Sequence, residues 1–344
     1  MGEIVSDWRG LGDEELSQYA TQGYLHLRGL FNEAEIEFGL EIVDRAVRSL
    51  TAGEDSVPYH ASYFDEGSRK DLVRVRNAVA QRREVAYFLD HPRLIGPMVS
   101  LLGPGLQVLG SEVFYRDLGR APHEPWHIDG GPAMYDVRID HTRRSLQAKA
   151  QVFLTEVSEP RSGNFLLIPG SHTWPAPTSA DIEELNRQQR AGGVPGALTV
   201  RAEPGDVLLF PYSLWHAVDC NVRAPRKSLI LRFGHLWHRP HDYDAQPREV
   251  LDGLSPRLRR MLGDFGADSH PMNYYKPTDN EAVMSSGGDY TSLVPPALIE
   301  RHGADAFGPA SWPARGPWTV RNETPAPAPA PAVAPAPAPA PTSR

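Results

Sequence analysis

The stretch Leu198–Phe233, LTVRAEPGDVLLFPYSLWHAVDCNVRAPRKSLILRF, reads as short strands punctuated by turns. Leu198–Ala202, Val207–Phe210 and Ser228–Phe233 are rich in Val, Leu, Ile and Phe, and Pro204-Gly205-Asp206 marks a turn between the first two. The texture extends backwards. Leu106–Tyr115, Gln147–Leu154 and Asn164–Ile168 also read as strands, with turns at Ser162-Gly163-Asn164 and Pro169-Gly170. Many short strands joined by Gly/Pro turns predict an antiparallel sandwich or barrel, not a βαβ fold.

On either side of this block the hydrophobic period becomes helical. Asp13 can cap a helix starting near Glu14, followed by a short strand at Tyr24–Leu27. Asn32 can cap a second helix, in which Ile36, Leu40, Val43, Val47 and Leu50 form an apolar stripe that omits Phe38 and Ile42. A helical stretch over 82–102 is broken at His91-Pro92, where proline ends one helix and opens the next. Further helices are expected at Asp181–Arg190, inside a loop, and near Val250–Leu262. From about Thr324 the chain alternates Pro and Ala, which supports neither helix nor central strand, so a disordered tail is expected. The division read from this is a helical region over 1–105, a β core over 106–236, an extension over 237–323 and a tail over 324–344.

Composition excludes several classes. With 344 residues, 40% hydrophobic and 23% charged, the chain can bury a sizeable core. A formal net charge of −8 argues against nucleic-acid binding. No apolar run approaches the ~20 residues that span a bilayer, and MGEIVSDWRG lacks a basic n-region and an apolar h-region. A cytoplasmic location is the expectation. The single cysteine, Cys220, forms no internal disulfide and reads as a packing residue.

The chemistry-bearing signal is His127-Ile128-Asp129. On a strand, residues i and i+2 share a face, so imidazole and carboxylate can reach one metal. His216, after Phe210-Pro211-Tyr212-Ser213-Leu214-Trp215, is the best third ligand. Two histidines and a carboxylate on one octahedral face are typical of mononuclear iron(II) oxygenases. Arg226, ten residues past His216, can clamp a carboxylate through its guanidinium fork.

These pieces occur in one order: QYATQGYLHLRGLFNEAEIE (18–37), VRVRNA (73–78), DHPRLIGPMVSLLG (90–103), EPWHIDGG (124–131), SGNFLLIPGSH (162–172), EPGDVLLF (203–210), LWHAVDCNVRAPRKSL (214–229) and LSPRLRRMLG (254–263). The set resembles the phytanoyl-CoA dioxygenase family of Fe(II)/2-oxoglutarate-dependent oxygenases. The resemblance implies a double-stranded β-helix, a cupin-like jelly-roll barrel with flanking helices. It implies His127, Asp129 and His216 as iron ligands, Arg226 as the 2-oxoglutarate clamp, and O2 as co-substrate. Two departures stand out. Val218 occupies a position where family members often carry serine, and the histidine–arginine gap is one residue short, which makes Lys227 a rival clamp. Gln147, Lys149 and Gln151 alternate on one strand face and are candidates to assist Arg226. Tyr115, Trp126, Tyr135 and Trp237 flank the expected metal strands and are candidates for substrate contact, alongside Met134 and His238. A carboxylate at 129 argues for oxygenation over halogenation. The resemblance also implies a secondary-metabolism enzyme that hydroxylates or ring-closes a small molecule, such as a glycoside antibiotic. The rival readings are a cupin-type metalloenzyme that does not use 2-oxoglutarate and a non-catalytic binding barrel.

Overall fold

A computed structural model describes residues 9–52, 61–63, 72–119, 124–129, 134, 145–267, 270–275 and 277–308. Tyr135 and the Pro-Ala tail lie outside the described residues.

Among the described residues eleven strands form two antiparallel sheets. In chain order they are β1 (Leu25–Leu27), β2 (Ala61–Tyr63), β3 (Leu72–Val75), β4 (Leu106–Arg116), β5 (Glu124–His127), β6 (Gln147–Phe153), β7 (Phe165–Leu167), β8 (Leu198–Thr199), β9 (Val207–Pro211), β10 (His216–Val218) and β11 (Arg226–His235). The larger sheet runs β1-β9-β6-β11-β4-β3-β2, and the smaller β5-β10-β7-β8. No named strand of one sheet pairs with a named strand of the other. Of the sandwich or barrel expected, the described residues form two separate antiparallel sheets, with no hydrogen-bonded closure into a barrel among them. Three strands that precede residue 106 extend the larger sheet.

Alternation along each central strand sorts the side chains into layers. On β6, Ala148, Ala150 and Val152 join the main core with Leu229, Leu231 and Phe233 of β11. The helices Glu33–Ala52, Val85–Leu89 and Pro92–Leu102 cover that face through Phe38, Phe88, Leu94 and Met98. The other face looks at the smaller sheet, and Phe153, Leu208 and Phe210 meet Phe165 and Leu167 between the sheets. Behind the smaller sheet, Trp126, Leu166, Ile168 and Trp215 pack under Ile182 and Leu185 of the inserted helix Ser179–Arg190.

Local signals account for most helix boundaries. Asn32 Oδ1 accepts from Glu35 N at 2.9 Å while Glu35 Oε2 accepts from Asn32 N at 2.7 Å, a reciprocal cap. His91 Nδ1 accepts from Arg93 N and Pro92 opens the next helix. The first helix spans Asp13–Gln22 with Gly12, not Asp13, in the cap position. The expected stripe on Glu33–Ala52 is displaced. Phe38 and Ile42 are fully buried, whereas Ile36, Leu40 and Val47 are only partly so. The helix lies across several partners, and the buried arc is set by the strands beneath it. The segment near 250–262 splits into Arg248–Leu251 and Pro256–Met261, separated by Gly253 at φ +74°.

Candidate metal centre

His127 and His216 are register partners on β5 and β10, with ring centroids 4.2 Å apart. His127 ends its strand. Asp129 lies two residues beyond it, anchored by its own N–H to the Tyr212 carbonyl at 2.8 Å. Asp129 thus reaches the site from just past the strand end, not from within the strand as expected. His216 opens a strand of its own in the smaller sheet, after the chain crosses from β9 of the larger sheet.

Each imidazole is fixed by the main chain. His127 Nδ1–H donates to the Pro125 carbonyl and His216 Nδ1–H to the Leu214 carbonyl, both at 2.8 Å. Those bonds place the proton on Nδ1 and leave the Nε2 lone pair for a ligand. His216 Nε2 is 3.8 Å from Asp129 Oδ2. One ligand atom from each of His127, Asp129 and His216 lies within 4.8 Å of the others, the one such group among the described residues. Phe165 stacks on His216 at 5.0 Å and Phe210 meets it edge-on at 5.2 Å. Burial holds the His216 imidazole at a pKa of about 3, so it is neutral and ligand-ready. Asp129 ion-pairs with Lys149. Burial would raise the Asp129 carboxyl, but Lys149 and the other positive groups nearby hold it far below the usual range. The donor set, its tautomers and its spacing fit a divalent transition metal bound by two imidazoles and one carboxylate.

The triad borders a cavity of about 300 Å³ between the sheets. Arg226, Ile230 and Arg232 of β11 line it, with Glu112, Phe114 and Arg116 of β4. Arg226 is buried and donates to the Gly163 carbonyl. Gly163 sits at φ +71° in the Ser-Gly-Asn turn, and this left-handed turn carries the carbonyl that meets the guanidinium. Arg226 Nε and Arg116 Nη1 are buried without an acceptor among the described residues, while Arg116 Nη2 donates to Glu124 Oε1 at 2.6 Å. Burial and the neighbouring Arg116 bring Arg226 down to about 9. Two adjoining guanidinium groups with unmatched donors fit a carboxylate. Lys227 points away from the cavity and pairs with Asp44 at 2.6 Å.

The remaining candidates scatter. Lys149 and Gln151 line the cavity. Gln147 does not; its amide nitrogen reaches His238 Nε2 at 3.1 Å and His241 Nε2 at 3.3 Å. Tyr115 faces the helical layer, because the even-numbered residues of β4 take the cavity side. Trp126 faces away from the cavity, fully buried, and donates to Gln189 Oε1 at 3.2 Å. The local alternation next to His127 forces that orientation. Trp237 stacks on His235 and His238 and lines a second cavity of about 530 Å³ with Tyr243, Arg248 and Tyr274. Sequence reasoning missed Arg74, Glu112, Arg116, Glu124 and Arg232. Their signal was polar residues at alternate positions of strands otherwise too apolar for a solvated face.

A family model described as phytanoyl-CoA dioxygenase (PhyH) matches residues 19–222. A relative named dioxygenase andF, from Emericella variicolor, is 26% identical over 150 residues, which cover 40% of this chain and 48% of that protein. The chain thus spans about half the length of that relative. Among solved structures, EctD from S. alaskensis with 2-oxoglutarate and 5-hydroxyectoine has a TM-score of 0.54 at 20% identity, covering 69% of this chain and 82% of that one. SnoK, a non-heme alpha-ketoglutarate-dependent carbocyclase from nogalamycin biosynthesis, has a TM-score of 0.50 at 19% identity, covering 68% and 88%.

Proposed function

The chain belongs to the phytanoyl-CoA dioxygenase family of Fe(II)/2-oxoglutarate-dependent oxygenases, and from that premise we propose that it oxidises an unactivated C–H bond of a small molecule as a tailoring step in secondary metabolism. The observation that carries the reading is the paired anchoring of His127 and His216, whose Nε2 atoms converge with Asp129 on the cavity that Arg226 lines. In this reading the facing sheets are the double-stranded β-helix of the family. The described residues up to 105 and those from 237 to 308 support the β core that runs from 106 to 236.

His127, Asp129 and His216 would hold iron(II), and Arg226 would take the distal carboxylate of 2-oxoglutarate. When bound, iron(II), 2-oxoglutarate and O2 supply the oxidising power that removes hydrogen from the substrate, with succinate and CO2 released. The chain's own contribution is placement. Main-chain carbonyls fix both imidazole planes. Lys149 keeps the Asp129 carboxylate ionised and turned toward the histidines. Phe165 and Phe210 wall His216 off from water. Gln147 contacts His238, which lines the second cavity together with Trp237, and we assign that cavity to substrate contact. Ring closure, the reaction for which SnoK is named, is one outcome of this reading, and hydroxylation is the other.

The test is an anaerobic titration of the apoprotein with Fe(II) and 2-oxoglutarate, followed by the visible metal-to-ligand charge-transfer band. Saturation near one equivalent supports the reading. Iron binding without the band moves a cupin-type enzyme without 2-oxoglutarate ahead.

A further inference from the structure

The cavity beside the triad carries an imbalance of charge. Among the described residues its lining holds five cations, Arg74, Arg116, Lys149, Arg226 and Arg232, against three carboxylates, Glu112, Glu124 and Asp129. Among the described residues the next charges out, Arg76 and Asp242, are one of each sign and leave the excess of two unchanged. Burying charge without a counter-charge is expensive, so a buried excess of this kind calls for an anion.

The pairing among these groups is incomplete. Glu112 Oε1 is shared between Arg74 at 2.5 Å and Arg232 at 3.1 Å. Glu124 is paired with Arg116, Asp129 with Lys149, and Arg226 with a neutral carbonyl. Arg74 Nε, Arg226 Nε, Arg232 Nε and Arg116 Nη1 are all buried donors with no acceptor among the described residues. The cofactors do not redress the balance. Iron(II) adds two positive charges and 2-oxoglutarate two negative, and Asp129 is then engaged by the metal.

The excess has a definite place. Lys149 and Arg232 are direct register partners on β6 and β11, two cations side by side on the inner face. Like charges directly opposite destabilise a sheet unless something bridges them. Arg226 and Arg116 form a separate group that takes the distal carboxylate in the reading above. We propose that the molecule oxidised bears an oxyanion, such as a carboxylate, and that Lys149 and Arg232 seat it next to the metal. The inference rests on the 2-oxoglutarate reading and narrows its substrate class. It concerns a cationic pair assembled from two strands, which neither the family match nor the compared structures assign.

The experiment uses the full chain loaded anaerobically with Fe(II) and saturating 2-oxoglutarate, and reads perturbation of the visible band by matched probes. The probes are phenylacetate against phenylacetamide and hexanoate against hexanamide. The expected result is at least tenfold tighter binding of each acid than of its amide. In Arg232→Gln, with its own band confirming a folded, loaded site, the acid-to-amide ratio should fall toward one. Equal affinity for acid and amide, an acid preference untouched by Arg232→Gln, or no response to either acid up to about 10 mM would each overturn the proposal. So would acid binding that competes with 2-oxoglutarate, which would place the acid at Arg226. Absence of the band before any probe is added defeats the functional reading itself and this proposal with it. A normal band with no acid preference defeats this proposal alone.

Discussion

Arg226 and Lys227 are neighbours in the chain and face opposite sides of the same sheet: Arg226 lines the cavity between the sheets, and Lys227 reaches out to Asp44. Strand alternation puts only one of the two residues that spacing from His216 left as rivals on the cavity side, and the proposed clamp is therefore Arg226. Arg226→Ala should weaken 2-oxoglutarate binding by roughly a hundredfold or more, since removing one partner of a buried charge pair costs about 3–5 kcal/mol. Lys227→Ala should leave it within about threefold, because Lys227 faces Asp44 on the other side of the sheet. Titrating the charge-transfer band in both variants checks the assignment; equal losses would reverse it.

Asp129 supplies the carboxylate of the triad. Asp129→Ala should lower Fe(II) affinity by more than the ~10–100-fold typical of losing an outer-shell partner. Metal content after dialysis, or calorimetry with Fe(II), reports it directly. Unaltered metal content would remove Asp129 from the ligand set.

The apoprotein should lose stability in mild acid. His216 is held neutral by burial, with a folded pKa of about 3 against an unfolded value near 6.5. Its contribution is complete above the unfolded value and is lost as pH falls from 6.5 toward 3, because the unfolded chain takes up a proton that the folded chain refuses. The slope for this group is about 1.4 kcal/mol per pH unit within that window. Denaturant titrations at pH 7.5, 6 and 5 of the apoprotein and of His216→Gln should show a steeper decline toward acid in the native chain than in the variant; equal slopes would contradict the buried neutral imidazole.

The extension is tied to the helical layer by one buried ion pair. Arg257 Nε donates to Asp90 Oδ1 at 2.5 Å, and Asp90 Oδ2 also accepts from Ser255 Oγ at 2.7 Å and Tyr290 OH at 2.8 Å. Both charged side chains are fully buried. Arg257→Ala should destabilise the protein by about 3–5 kcal/mol, while Fe(II) and 2-oxoglutarate binding by the folded fraction stays normal. Thermal melts paired with the band titration separate these two effects.

Much of the scaffold was legible because it is local. The reciprocal cap at Asn32, the break at His91-Pro92 and the Pro-Gly-Asp turn before β9 follow from backbone chemistry within a few residues. The apolar stripe of Glu33–Ala52 was misjudged because burial of Phe38 and Ile42 depends on which strands lie beneath the helix. Tyr115 and Trp126 were placed near the metal by sequence proximity, and alternation turns both away from it. The polar alternation Gln147, Lys149, Gln151, which usually marks a solvated face, here marks an interior one. Only the position of β6 in the middle of its sheet, under the smaller sheet, distinguishes the two.

By itself the sequence determined that the chain is mainly antiparallel β with flanking helices, most of the order of its elements and the candidate His-X-Asp…His ligand set, because turns, periods and ordered motifs are written in short stretches of chain. The tertiary structure decided what surrounds the metal. Arg74, Glu112, Lys149 and Arg232 come from four different strands, and no interval in the sequence predicts that they line one cavity. Strand order and register bring them together, and burial in that shared space turns scattered charges into one electrostatic site.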